Sequence, residues 1–255
     1  MIHFSQLLLL IEEVNTAMSG IGSGHDQSCD TFSPAGRVIQ VEYAGKAVDN
    51  SSTALGICCK DGVVVAVEKI LSSKMLEAGS NSRCHAVDLQ AGVCIAGVLG
   101  DGKNIVDRAK SEAEFSRSLW KEPMTGSNMA ERVAEYMHAH TSHWAYRPFG
   151  CSILLASYAD DGPQLFLSDP SGTVAGYHGC AVGKAKTVAK TELEKLNFQE
   201  LTCREAVKKA AEILYQVHDS VKDKLYEIEI AWVCDESKRR FKHVPAELIP
   251  PKPSA

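Results

Sequence analysis

The 255-residue sequence lacks a regular cysteine framework, a basic excess and an apolar run long enough to cross a bilayer. Its nine cysteines, at Cys29, Cys58, Cys59, Cys84, Cys94, Cys151, Cys180, Cys203 and Cys234, are odd in number and follow no repeating interval. That argues against a disulfide-stapled scaffold and for a reducing compartment, cytoplasm or nucleus. Several lie in apolar runs such as "GVCIAG", where a free thiol behaves as a small hydrophobe. A net charge of -5 provides no basic footprint for nucleic acid and no polybasic patch for a membrane, so protein partners are expected. The N-terminal "IHFSQLLLLIEE" is too short to span a bilayer, no Lys or Arg precedes it, and no small-residue cleavage site follows closely. It reads as a surface helix or an over-extended start, with Met18 as an alternative initiator.

Three familiar chemistries are also missing. "GVLGDGK" has no Ser or Thr after Lys103 and the wrong spacing for a phosphate-cradling loop, so a strand-to-helix turn is expected there. In "HAHTSH" only His140 and His143 share a helical face, and no HExxH or cysteine pair completes a tetrahedral set. "SKRRFK" is a short cation run among acidic neighbours and reads as a solvated hairpin tip. No cofactor and no metal is expected.

What is present is an alternation of strand and helix signals. Ser33, Pro34 and Gly36 mark a turn, and Val38, Val41, Ala44, Ala47 and Val48 then recur at helical spacing, predicting a helix over about 37–49. "TALGICC" and "VVVAVEK" flank Lys60-Asp61-Gly62, a strong hairpin signal. "CHAVDL" and "GVCIAGVLG" read as a second strand pair, stopped by Gly100 to Gly102. Two amphipathic helices follow, over about 103–120, with Phe115 and Leu119 on its buried face, and about 127–144. Strands return in "CSILLASY", "QLFLSD" and "VAGYHGCAV". Two more helices are predicted near 184–196 and 202–221, the second opening on the Thr202/Glu205 capping-box spacing. "EIEIAWV" is a late strand, "FKHV" follows the cation run, and the Pro-rich "IPPKPSA" reads as a mobile tail. Strands, two helices, strands, two helices, strands: the pattern suits an α+β domain of two sheets face to face with helices outside.

Phe32–Val48, "FSPAGRVIQVEYAGKAV", together with "NSSTALGI", "KDGVVVAVEK", "YRPFGCSILL" and "LSDPSGTVAGYHGCAVGKAKTVAKTELEKL", resembles the alpha-type subunits of the 20S proteasome from about Met18 to Val244. The resemblance implies a four-layer αββα sandwich of two antiparallel sheets, the N-terminal-nucleophile hydrolase fold. It also implies a non-catalytic place in a seven-membered ring stacked on catalytic beta subunits, in ubiquitin-dependent and ubiquitin-independent protein degradation. The chain then divides into an N-terminal extension and gate tail (1–31), the subunit domain (32–244) and a mobile C-terminal tail (245–255). Beta subunits expose a threonine by cleavage after glycine, whereas here Asn50-Ser51-Ser52-Thr53 has no Gly-Thr junction, and an internal residue has no α-amine to act as base. Glu68 aligns with the acidic member of the beta site and Arg83 with its lysine, and arginine does not relay protons.

Carried over residue by residue, Asp26, Pro34 and Tyr43 are the gate cluster, with His25 and Gln27 where the family has Tyr and Arg. Arg83 also matches the lysine that binds the C-terminal carboxylates of regulatory particles between adjacent alpha subunits, and its guanidinium can take a carboxylate bidentately. Expected partners are therefore neighbouring alpha subunits, beta subunits, activator C-termini and unfolded substrates in transit, with no nucleic acid and no membrane. The alternative is an independently active N-terminal-nucleophile peptidase.

Overall fold

A computed structural model describes residues 28–71, 73–77, 79–218 and 225–251. Asp26, His25, Gln27 and Met18 lie outside the described residues, as does the N-terminal apolar segment.

Helix α1 (Ile39–Asp49) leads into the hairpin of β1 (Ala54–Cys59) and β2 (Gly62–Ile70). Next come β3 (Cys84–Ala86), β4 (Ala91–Gly97), α2 (Leu99–Trp120), α3 (Gly126–Ala139), β5 (Cys151–Ala159), β6 (Gly162–Ser168), β7 (Val174–Gly176) and β8 (Gly179–Val182). The chain closes with α4 (Lys186–Leu193), α5 (Cys203–Val217), β9 (Tyr226–Cys234) and β10 (Lys242–His243). One sheet runs β10-β9-β2-β1-β8 and the other β3-β4-β5-β6-β7, every pairing antiparallel.

Three apolar layers account for four structural ones. Because successive strand side chains point to opposite faces, Leu55, Ile57, Val64, Ala66, Ile230 and Trp232 face α4 and α5. Their neighbours Ala54, Val63, Val65, Ala231 and Val233 meet Leu154 and Ala156 between the sheets. Val93, Ile95, Ile153 and Leu155 face Ile105, Ala109, Met129 and Val133 of α2 and α3. Central strands buried on both faces explain why β2 and β5 read as continuous apolar runs rather than alternating ones. The expected αββα sandwich is what forms.

Several local expectations shift. The Asp-Gly signal does place a hairpin, but Cys59 pairs with Gly62, so the two-residue loop is Lys60-Asp61 and Gly62 opens β2 at φ +153°. Gly100 to Gly102 do not stop the sheet; β4 ends at Gly97 and α2 already begins at Leu99. Phe115 and Leu119 are exposed rather than buried. Here α2, at about 33 Å for 22 residues, outruns the roughly 23 Å of β4 beneath it. Helix α3 stops at Ala139 rather than Trp144, where Thr141 and Ser142 hydroxyls bond the His138 carbonyl and turn the chain.

"VAGYHGCAV" is not one strand. Its first half pairs with β6 in one sheet and its second half with β1 in the other, the chain crossing layers at Tyr177-His178. The Thr202 capping box forms as expected, with the Thr202 amide donating to Glu205 Oε2 at 3.1 Å. After β10, Ala246–Leu248 makes a 3₁₀ turn and the Tyr215 hydroxyl donates to the Pro250 carbonyl at 3.0 Å, which ties this stretch to α5.

Candidate functional site: the nucleophile slot and the root of the tail

Thr53 immediately precedes β1 and is 1% exposed. The chain around it continues the β1–β8 pairing: the Lys184 amide donates to the Ser51 carbonyl at 2.9 Å, and the Ala185 amide donates to Thr53 Oγ1 at 3.3 Å. Gly183 sits at φ +100°, and a Cβ there would meet the Ser52 carbonyl oxygen at 2.5 Å, so only glycine lets the backbones approach this closely. On the other side the Glu68 amide donates to the Thr53 carbonyl at 2.9 Å. The segment ahead of Thr53 is thus bonded into the sandwich from Ser51 onward. An internal hydroxyl whose own nitrogen is a peptide amide has no base within its residue.

The other two aligned positions do not converge on it. The carboxylate of Glu68 is buried and paired with His218 Nδ1, whose ring stacks on Tyr226 at a centroid distance of 3.5 Å. Arg83 is half-buried; its Nη1 donates to the carbonyls of Gly97 at 3.0 Å and Ile95 at 3.4 Å, while its amide donates to Glu229 Oε2 at 2.9 Å. Among the described residues, Thr53, Glu68 and Arg83 share a neighbourhood of backbone but no side-chain relay. Glu68, whose carboxylate is locked to His218, serves the fold.

The turn ahead of α1 follows from its residues. Pro34 fixes φ at the second turn position, the Gly36 amide donates to the Ser33 carbonyl at 2.8 Å, and Gly36 itself adopts φ +73° so that the Ser33 amide reaches the Arg37 carbonyl at 2.9 Å. Arg37 pairs with Glu42 across the first helical turn. From there α1 packs on β4 and β5, Val48 enters the layer between the sheets, and Asp49 accepts from Lys186 of α4 at 2.5 Å. One short helix therefore ties both halves of the sandwich beside the Thr53 slot. Pro34 and Tyr43 are both exposed, and Lys46 Nζ lies 5.4 Å from the centre of the Tyr43 ring. The third gate candidate, Asp26, is outside the described residues.

Sequence reasoning missed what fastens the tail to this surface. Cys29, 4% exposed, donates from Sγ to the carbonyls of His143 at 3.1 Å and Tyr146 at 3.3 Å. Beside it a 550 Å³ groove lies between the tail root (Asp30, Phe32), α1 with its preceding residue (Val41, Val38), and the end of α3 with the turn that follows it (His138, Thr141). Nothing in "SCDTF" signals such an anchor, because its partners lie more than a hundred residues away. The same loop is held by Arg147, which grips Asp101 of α2 bidentately at 2.8 Å on both oxygens, Gly150 adding its amide at 2.8 Å. Arg147 pulls the Asp101 carboxyl below its ordinary range. Burial pushes the thiols of Cys58 up to about 11 and of Cys151 and Cys180 up to about 12, so these three stay protonated packing groups rather than nucleophiles. No helix among the described residues is long and apolar enough to cross a membrane.

Comparison with known proteins agrees with this geometry. The family described as proteasome subunit matches residues 48–233, and the N-terminal signature of A-type proteasome subunits matches residues 25–47. Proteins named proteasome subunit alpha type-3 from Oryza sativa subsp. japonica and from Spinacia oleracea are each 53% identical over 91% of this chain and 93% of their own length. The protein of that name from Arabidopsis thaliana is 52% identical over the same shares. The chain belongs to the proteasome-subunit family and, within it, to the alpha-type subunits that form the non-catalytic ring of the 20S core particle.

Proposed function

We propose that this subunit shapes and gates the substrate pore of the core particle and offers a docking position to regulatory particles. The observation that carries the reading is the slot itself. Thr53 is enclosed within an intact polypeptide whose preceding residues are hydrogen-bonded into the sheet, and α1 sits beside it, tied to both layers. A chain so arranged can direct a tail but not cut with a terminal threonine. Residues 1–31 form the extension and gate tail, 32–244 the ring-forming domain and 245–255 the C-terminal segment. Asp26, Pro34 and Tyr43 order the tail in its open arrangement, the exposed ring and turn presenting two of the three partners.

Arg83 receives an activator's C-terminal carboxylate. The Ile95 and Gly97 carbonyls hold its Nη1 and fix the guanidinium, and the Nε–Nη2 edge is the pair of donors that a carboxylate would take. The partners that follow are neighbouring alpha subunits in a seven-membered ring, beta subunits, activator C-termini and unfolded chains in transit, in the cytoplasm and nucleus. The work served is ubiquitin-dependent and ubiquitin-independent degradation.

An intact mass of the mature chain, with a peptidase assay of the isolated subunit, tests the reading. A chain uncut at Ser52 and Thr53 and inactive alone is expected. Cleavage immediately before either residue, with activity in the isolated chain, favours the independently active peptidase instead.

A further inference from the structure

Glu229 is an anion on the apolar side of β9. Ile230 and Trp232 face α5, Ala231 and Val233 face the layer between the sheets, and the alternation of a strand sets Glu229 on the second of these faces. Its side chain is 13% exposed. A charge in that position costs free energy unless its oxygens are satisfied, and the donors come from the segment leading into β3 of the other sheet. Oε1 accepts from the Ser82 hydroxyl and from the Cys84 amide at 3.0 Å, and Oε2 accepts from the Arg83 amide at 2.9 Å. His243 Nδ1 stands 3.7 Å from Oε1, and His85 Nε2 donates to the Ser82 carbonyl at 2.9 Å, which ties the same segment again.

This clamp alters the ladder at Arg83. The Cys84↔Cys94 register sets Arg83 opposite Ile95, and the Ile95 amide donates to the Arg83 carbonyl at 2.9 Å. In an antiparallel pair, residues joined in this way exchange both bonds, the Arg83 amide returning to the Ile95 carbonyl. Here that amide goes to Glu229, and the Ile95 carbonyl takes Arg83 Nη1 at 3.4 Å instead, with the Gly97 carbonyl holding the same nitrogen at 3.0 Å.

We propose that Glu229 is the positioning residue for docking of an activator's C-terminal carboxylate, an inference that rests on the docking role read for Arg83. Glu229 meets no ligand itself. It withdraws the Arg83 amide from the ladder, which leaves the Ile95 carbonyl to seat the guanidinium through Nη1, and the Nε–Nη2 edge is the pair of donors for the ligand. With the carboxylate of Glu229 gone, the Arg83 amide returns to the Ile95 carbonyl and Nη1 loses that seat. Removing a nearby negative charge would by itself strengthen the pull of Arg83 on an anion. Positioning and charge therefore predict opposite signs.

The test uses assembled particles in which this subunit alone is substituted. The probe is a short peptide copied from the C-terminus of a regulatory particle, carrying a photo-crosslinker, in free-carboxylate and C-terminal amide forms. Crosslinking to this subunit against peptide concentration gives the affinity at this position, and the ratio between the two forms isolates what the carboxylate contributes. Glu229→Met suits the apolar layer and removes both oxygens. It is expected to lower the affinity of the carboxylate form about tenfold, the scale of one hydrogen bond to a charged group, with little change in the amide form. Arg83→Ala is expected to abolish the preference for the carboxylate form; a preference that survives it overturns the docking role and this inference together. If Arg83→Ala abolishes the preference while Glu229→Met leaves it unchanged or raises it, the inference alone is overturned. Equal weakening of both forms by Glu229→Met, the mark of a merely structural role, overturns it too. Should Glu229→Met not assemble, Glu229→Gln, which keeps one acceptor oxygen, decides by the same ratio: a loss of about threefold is expected, and an unchanged ratio contradicts the proposal.

Discussion

The backbone amide of Ala185 donates to Thr53 Oγ1 at 3.3 Å, so the hydroxyl that a catalytic relative would use as nucleophile is here a structural acceptor. Thr53→Ala removes the acceptor and leaves a buried amide with a poorer partner, at about 1 kcal/mol. Thermal unfolding of the subunit is expected to move down by a few degrees, while peptide hydrolysis per assembled particle is unchanged. A loss of hydrolysis in proportion to Thr53 removal, with assembly intact, would give the hydroxyl a chemical role.

Asp101 and Arg147 give the acid limb of stability a defined sign. Arg147 holds the Asp101 carboxyl below its ordinary value in the folded chain. A depressed folded-state value contributes stability above the unfolded carboxylate range, and that contribution is lost as pH falls through the folded value. Arg147→Ala is expected to cost about 1 kcal/mol near neutral pH and to reduce the fall in melting temperature between neutral pH and the acid range. Parallel melting curves over pH for both proteins check this; curves that stay a constant distance apart down to strong acid contradict it.

Two neighbouring glycines in the first turn of α2 separate propensity from packing. A Cβ at Gly102 would meet Ile95 Cγ2 at 2.2 Å, whereas one at Gly100 meets nothing within 4 Å. Gly102→Ala therefore overpacks the α2–β4 contact and is expected to destabilise by about 1–3 kcal/mol. Gly100→Ala is expected to stabilise by about 0.4–1 kcal/mol. Chemical denaturation of both variants measures the difference, and equal effects would mean that the helix moves freely over the sheet.

The sequence carried the layers well because they depend on local pattern. Continuous apolar runs in β2 and β5, the Thr202/Glu205 pair and the Ser-Pro-x-Gly turn each express a rule within a few residues. What escaped it depends on distance along the chain. Whether "VAGYHGCAV" is one strand or two is decided by partners in β6 and β1, and how much of α2 is buried is decided by the length of β4 below it. Around the slot, the internal Thr53 and the loss of lysine at Arg83 were legible. The Cys29 anchor, the Asp49–Lys186 pair and the Arg147–Asp101 clamp were not, since each joins segments that only the fold brings together.

Tyr43 is exposed on α1, with the Lys46 ammonium over its ring face. Tyr43→Ala is accordingly expected to leave ring assembly and melting temperature nearly unchanged, within about 0.5 kcal/mol, while reducing activator-stimulated peptide hydrolysis. Native gel migration and stimulated rates, measured on the same particles, distinguish the outcomes. Failure of the ring to form would make Tyr43 a packing residue at an intersubunit contact.

The most direct measurement is the basal rate at which assembled particles hydrolyse a small fluorogenic peptide when this subunit lacks residues 1–28, which keeps the Cys29 anchor. A tail that occludes the pore predicts a several-fold rise in that rate, with the same bonds cut and the Cys29-held loop intact. An unchanged basal rate in fully assembled particles would contradict the gate.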